Sequence, residues 1–109
     1  MIGGKKMAES LLSQRLRNRR RKIDLIDRKL LSLLNQRLHI ALEIGKIKKQ
    51  MGTKIYNPKR EKEVLERLRL RLRSRNKGLL KEKDLDKIFR TIISVCRGVQ
   101  KVVNSEVPF

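Results

Sequence analysis

The sequence has almost no cysteine or histidine, the residues of disulfides and of many metal sites and covalent catalytic centres. Cys96 is its one cysteine and His39 its one histidine. The chain can therefore form no internal disulfide and has no Cys/His cluster for a metal ion. It also lacks a nucleophile with a neighbouring base, since no histidine lies near Cys96 in the sequence and no serine lies in a Gly-rich turn. We expect neither a metal centre nor covalent catalysis.

Strand-forming and membrane-spanning segments are missing as well. Two prolines and three aromatic residues occur in 109 residues, and no Val/Ile/Thr-rich segment alternates with period two. No apolar run approaches membrane-spanning length, and residues 1–13 lack the apolar core of a signal peptide. These absences predict an all-α protein in the cytoplasm.

Acidic residues are few compared with basic ones. The chain has 30 Lys and Arg against 11 Asp and Glu, a net charge of +19, and 39% hydrophobic residues. That apolar content is enough for a modest core, and the charge attracts polyanions and small dianions alike. We expect a disordered basic N-terminus at 1–12 and one helical domain at 13–109.

Start and stop signals predict three helices. Asn57 and Pro58 mark the start of the second helix, because asparagine caps a helix N-terminus and proline suits the first helical position. Gly52 supplies a stop for the first helix. We expect the first helix to begin between Ser13 and Asn18 and to end at about Gln50. The second should begin at Pro58 and end between Ser74 and Gly78. The third should run from about Glu82 to Asn104.

The first helix is long for so small a domain. About 35 residues at 1.5 Å each give about 50 Å, more than the diameter of a compact domain of this size. A helix that extends beyond its own domain usually packs against another chain. We therefore expect an oligomer.

Three cations, Arg20, Arg37 and Lys48, interrupt the apolar stripe of this first helix. Buried cations need anionic partners, and the chain has too few nearby carboxylates to supply them all. An anionic ligand held within a helical bundle is the first hypothesis. Residues at alternating spacings of four and three lie on one face of a helix. On this face lie Leu16, Arg20, Ile23, Asp27, Leu30, Leu34, Arg37, Ala41, Ile44 and Lys48.

The spacing of the three cations predicts how they share ligands. Arg37 and Lys48 are eleven residues apart, about 16 Å along a helix and on nearly the same face, so they can reach opposite ends of one small ligand. Arg20 lies 17 residues before Arg37, about 25 Å away, too far to share that ligand within one chain. If Arg20 contributes, it comes from an antiparallel partner helix, which predicts a dimer with shared sites.

Two further polar residues align with apolar stripes. Glu61 lies four residues before Leu65, one turn from the start of the second helix, and Gln100 lies one turn beyond Cys96 in the third. Such a set of Arg, Lys, Glu and Gln can bind a dicarboxylate and stabilise developing charge without changing bonds itself.

These residues belong to four segments that together resemble the all-helical chorismate mutases. The resemblance covers about residues 12 to 104, and the order and spacing of the segments make it specific. The segments are RRKIDLIDRKLLSLLNQR at 20–37, EIGKIK at 43–48, NPKRE at 57–61 and IFRTIISVCRGVQ at 88–100.

The resemblance implies an activity and an assembly. The activity is the rearrangement of chorismate to prephenate in the synthesis of phenylalanine and tyrosine. The assembly is an intertwined three-helix homodimer with two sites, and the family needs no cofactor. Catalysis would then fix a flexible dianion in its compact conformer and stabilise a polarised transition state.

Five residues take specific roles from the resemblance. Arg20 looks like the arginine that the partner chain donates to one substrate carboxylate, and Arg37 like its counterpart on the other carboxylate. Lys48 and Gln100 resemble the two donors to the ether oxygen, where negative charge grows as the C–O bond breaks. Glu61 matches the acceptor for the substrate hydroxyl.

Three more residues match the pocket, two of them with differences. Arg60 matches a further cation that lines it. Asn57 stands where several members carry aspartate, so an uncharged amide replaces a carboxylate. Cys96 stands where the family often has serine, so a hydroxyl contact to a substrate carboxylate becomes a weak thiol contact or is lost.

Other interpretations remain open. Basic tracts at 15–22 and 67–77 would suit a helical nucleic-acid-binding protein, although stacking aromatics and helix-turn-helix spacing are lacking. A regulatory domain that keeps the pocket without turnover is a further possibility. Arg20 can also be a solvated surface residue, and Arg37 and Lys48 can extend out of the stripe to solvent.

Overall fold

The computed structural model is helical throughout its regular parts. It describes residues 2–75 and 78–105, and the side chains of 7–75 and 78–102. No strand occurs among the described residues, so the predicted all-α class with three helices is confirmed. Nor does any described helix combine the length and apolar character needed to cross a bilayer. The helices are α1 (Ile2–Met51), α2 (Pro58–Ser74) and α3 (Glu82–Ser105).

The predicted signals between α1 and α2 act as expected. Gly52 adopts a φ of 69°, a left-handed conformation that glycine enters without steric cost. The backbone N–H of Thr53 donates to the carbonyl of Lys48 at 3.0 Å and closes the helix end. At the start of α2, the Oδ1 atom of Asn57 accepts a hydrogen bond of 3.1 Å from the backbone N–H of Arg60.

The predicted start of the first helix, between Ser13 and Asn18, is wrong. Helix α1 begins at Ile2, because residues 5–12 are mostly good helix formers and no proline occurs before Pro58 to interrupt them. The proposed domain boundary after residue 12 stays a prediction, and Met1 lies outside the described residues.

The chain divides into two units, Met1–Asn35 and Gln36–Phe109. The first unit contains the N-terminal part of α1, and its described side chains are exposed. The second contains the remainder of α1 with α2 and α3, and its core side chains are only 4–7% exposed. They are Ala41, Leu65, Leu85, Ile93 and Cys96.

Paired charges join α2 to α3 beside this core. The Arg69 guanidinium donates to both carboxylate oxygens of Asp86, at 2.7 and 2.8 Å. Arg73 holds Glu82 in the same two-bond geometry, at 2.6 and 3.1 Å. These hydrogen bonds lower the pKa of Asp86 and of Glu82 below their usual values, although partial desolvation opposes the shift.

Because of the Arg69–Asp86 pair, we expect the stability of the fold to fall as the pH becomes acidic. Since the folded pKa of Asp86 lies below its unfolded value, the contribution is complete above about pH 5 and is lost as the pH falls through the folded pKa. We expect the urea midpoint of the natural protein to fall more steeply between about pH 5 and pH 2 than that of Asp86→Asn. Parallel pH profiles for the two proteins would show that the pair contributes no stability.

Candidate active site

A cavity of about 350 Å³ lies within the unit Gln36–Phe109. The volume is at the lower end of the range usual for small-molecule sites. Its apolar lining is Ile40, Ala41, Ile44, Ile55, Val64 and Ile93. Its polar lining is Arg37, Lys48, Asn57, Arg60, Glu61, Cys96, Arg97 and Gln100.

Seven of the eight residues predicted for the site line this one cavity. Helix α1 supplies Arg37 and Lys48, the start of α2 supplies Asn57, Arg60 and Glu61, and α3 supplies Cys96 and Gln100. The eighth, Arg20, lies in the unit Met1–Asn35 with an exposed side chain. The individual roles of all eight stay predictions.

Lys48 and Gln100 form a direct pair in the cavity wall. The Lys48 Nζ atom donates to Gln100 Oε1 at 3.1 Å and to the carbonyl of Ile55 at 2.7 Å. These two bonds use two of the three ammonium protons and leave one for a ligand. Because the amide oxygen of Gln100 accepts from Lys48, its NH₂ group is also left to donate. Two donors from different helices therefore face the same cavity.

A glycine allows this pair to form. A Cβ atom on Gly45 would lie 3.0 Å from the Cα of Gln100 and 3.2 Å from its Cβ and Cγ. The missing side chain at residue 45 therefore lets α1 and α3 lie this close, since a methyl group there would require Gln100 to give by a few tenths of an ångström. Helical periodicity alone gives Gly45 no role, although a glycine inside a helix costs about 1 kcal/mol relative to alanine and so calls for a packing reason.

Arg37 is held by Cys96. The Arg37 Nη1 atom donates to the Cys96 sulfur at 2.8 Å, and the cysteine is 5% exposed. The sulfur thus acts as an acceptor toward the arginine, whereas the family resemblance suggested a weak thiol donor to the ligand. The other N–H groups of the Arg37 fork remain for an anion.

Glu61 has a partner, Arg97, that was not among the predicted site residues. Arg97 donates to both of its carboxylate oxygens, with Nε 2.9 Å from Oε2 and Nη2 2.6 Å from Oε1. The same guanidinium lies over the ring of Tyr56, 4.7 Å from its centroid. The hydrogen bond to Glu61 raises the pKa of Arg97 above its ordinary value. A signal did exist, because Ile93, Arg97 and Gln100 follow one another at helical spacings of four and three.

Asn57 and Arg60 lie at the exposed side of the cavity. The amide oxygen of Asn57 is used as the α2 cap, so its NH₂ group is the part that can contact a ligand. The side chain of Arg60 is 55% exposed, and its guanidinium lies 4.0 Å from Glu63. These two residues can contribute donors at the rim.

The cavity as a whole has the chemistry of an anion site that stabilises charge. Cations from α1, α2 and α3 converge on it, with a single carboxylate, Glu61, in its lining. Hydrogen-bond donors fixed in this way act on charge that develops in a bound molecule without reorganising. Among the lining residues, Cys96 has the only nucleophilic side chain other than Lys48, and it is occupied by Arg37.

The chain is similar in sequence to a known protein family and to several of its members. The model of the chorismate mutase type II family matches residues 19–101. A bifunctional chorismate mutase/prephenate dehydratase of Aquifex aeolicus is 38% identical over 94 residues, which cover 83% of this chain and 25% of that protein. A chorismate mutase of Methanocaldococcus jannaschii is 36% identical over 93 residues, covering 81% of this chain and 86% of that protein.

These relatives differ in length. The chain spans about a quarter of the Aquifex protein and most of the Methanocaldococcus protein. The family match includes every residue predicted for the site, from Arg20 to Gln100. The chain belongs to the chorismate mutase type II family.

Proposed function

We propose that this protein is a chorismate mutase that converts chorismate to prephenate in aromatic amino-acid synthesis, in the cytoplasm and without a cofactor. The observation that supports this most directly is the Lys48–Gln100 pair, whose remaining donors face one cavity. Family membership and the convergence of cations on that cavity support it as well.

The reaction needs little from the protein beyond binding and charge stabilisation. The ether C–O bond of chorismate breaks while a C–C bond forms in the same molecule, so no leaving group departs and no nucleophile or co-reactant is used. Arg37 holds one substrate carboxylate and Glu61 accepts a hydrogen bond from the hydroxyl. Lys48 and Gln100 donate to the ether oxygen as its negative charge grows, an interaction that is strongest in the transition state.

We also propose that two chains form a homodimer with shared sites, and that Arg20 of each chain binds the other substrate carboxylate in the partner's site. Support comes from the unit Met1–Asn35, where the apolar side chains that the structure describes are exposed, as is typical of a surface that another protein covers. Ile23 is 57% exposed and Leu30 is 51% exposed, although both lie on the stripe predicted to pack. A second copy of the same helix would cover them.

One experiment tests activity and shared sites together. Loss of chorismate is followed by its ultraviolet absorbance for the natural protein, for Arg20→Ala and for Arg37→Ala. Each substitution removes charge-assisted hydrogen bonds, so we expect kcat/KM to fall at least about tenfold.

Mixing the two variants distinguishes shared from separate sites. In a heterodimer formed by unfolding and refolding the mixture, one of the two sites contains both natural arginines. Random pairing makes about half of the dimers heterodimers, so about one site in four of the mixture is natural. Activity should therefore recover to about a quarter of the natural level. No turnover by the natural protein would refute the proposed activity, and a mixture no more active than its parents would refute the shared sites.

A further inference from the structure

Arg97 is a cation of the cavity that has no role in the proposed mechanism. It belongs to α3, three residues before Gln100, and it lines the cavity together with Glu61 of α2. Its guanidinium fork meets the Glu61 carboxylate through two parallel hydrogen bonds of 2.6 and 2.9 Å. Such paired bonds fix orientation as well as distance.

The arginine is itself held in place from a second direction. Its guanidinium stacks over the Tyr56 ring at 4.7 Å from the centroid, within the range of cation–π attraction. Tyr56 precedes the α2 cap residue Asn57. Glu61 is therefore tied through Arg97 both to α3 and to the segment that leads into its own helix.

This arrangement answers an electrostatic problem in the cavity. A carboxylate beside a dianionic substrate repels it, yet a carboxylate is a good acceptor for the substrate hydroxyl. A cation bonded to Glu61 offsets the repulsion. Two oxygens offer about four lone-pair positions, so acceptor capacity remains after the two bonds to Arg97.

We propose that Arg97 is a positioning residue, which holds the Glu61 carboxylate in the orientation that accepts the substrate hydroxyl and offsets its charge toward the dianion. The role rests on the proposed chorismate mutase function. It acts on substrate binding, because the contact from Glu61 to the hydroxyl is present in the ground state as well as in the transition state.

The chain contains a matched control for this pair. Arg69 and Asp86 also join α2 to α3 through two parallel hydrogen bonds. The side chains of that pair are 25% and 26% exposed, close to the 27% and 24% of Arg97 and Glu61. Neither Arg69 nor Asp86 lines the cavity. A loss of stability or activity that follows substitution in either pair is therefore structural. A loss of activity that follows only the substitution of Arg97 reflects its position in the cavity.

The test compares the kinetics and stability of Arg97→Ala and Arg69→Ala. We expect both to lower the urea midpoint by similar amounts. Arg97→Ala should raise KM for chorismate about tenfold and change kcat less than about threefold, whereas Arg69→Ala should leave both constants within about twofold. Arg97→Lys, which keeps the charge without the planar fork, should give an intermediate KM and serves if the alanine variant fails to fold.

A double-mutant cycle connects the effect to Glu61. In a Glu61→Gln background we expect Arg97→Ala to raise KM by less than about twofold, because the carboxylate that it positions is gone. The proposal is overturned if Arg97→Ala raises KM no more than Arg69→Ala does, or if its effect is undiminished in the Glu61→Gln background. No turnover by the natural protein would instead refute the proposed activity itself, and the positioning role with it.

Discussion

Replacement of Lys48 by alanine is expected to lower kcat about a thousandfold, with a much smaller change in KM. In the proposed mechanism the ammonium group donates to the ether oxygen most strongly when the C–O bond is breaking, so its loss would raise the barrier more than it weakens binding. The substitution also removes the hydrogen bonds to Gln100 and to the Ile55 carbonyl, which leaves the second donor without its anchor. Steady-state kinetics with chorismate measure the effect.

Lys46 provides the matched control for this prediction. It lies two residues earlier in α1, is exposed, and does not line the cavity. Lys46→Ala removes the same charge from the same helix, so it should keep kcat within about twofold. If Lys48→Ala retained a tenth or more of the natural kcat, or if both variants lost activity equally, Lys48 would have no specific part in the chemical step.

Much of the site could be predicted because helical periodicity is local. Arg37, Ala41, Ile44 and Lys48 share a face in any regular helix, and they line one cavity in the structure. The Asn57–Pro58 start signal likewise determined where Glu61 lies in the first turn of α2. These relations need no knowledge of how one helix meets another.

The missed residues depend on contacts between helices. Arg97 gains its role only when α3 packs against α2 in the register that brings it to Glu61, 36 positions earlier in the chain. Gly45 matters only where α3 passes over it. The spacing of residues within a single helix does not determine the register between two helices or how closely they approach. The roles of Arg97 and Gly45 therefore could not be predicted from the sequence alone.

The large positive charge did not decide the function. A helical nucleic-acid-binding protein was an alternative based on that charge, but it finds no support in the family or in the relatives. A net charge of +19 acts on every anion near the molecule. The informative cations are the few that share a cavity with Gln100 and Glu61, because their position selects a small anion.

The substitution Gly45→Ala, which adds a single methyl group, is also expected to lower kcat. In Gly45→Ala the new Cβ would lie 3.0 Å from the backbone Cα of Gln100, tighter than the usual contact between two carbon atoms. Helix α3 must then give by a few tenths of an ångström, and we expect Gln100 to move away from Lys48. A misplacement of about 1 Å at a reacting centre can cost about a hundredfold in rate, so for this smaller displacement we expect kcat to fall about tenfold.

Gly98 shows whether this loss comes from packing or from the helix itself. It lies in α3, and a Cβ placed on it meets nothing within 4 Å. Gly98→Ala should therefore stabilise the helix by about 1 kcal/mol and leave kcat unchanged. At Gly45 the same gain in helix propensity is opposed by overpacking, which costs about 1–3 kcal/mol. Full activity in Gly45→Ala would mean that α3 can move without displacing Gln100, and that the close approach of the two helices does not position the donor pair.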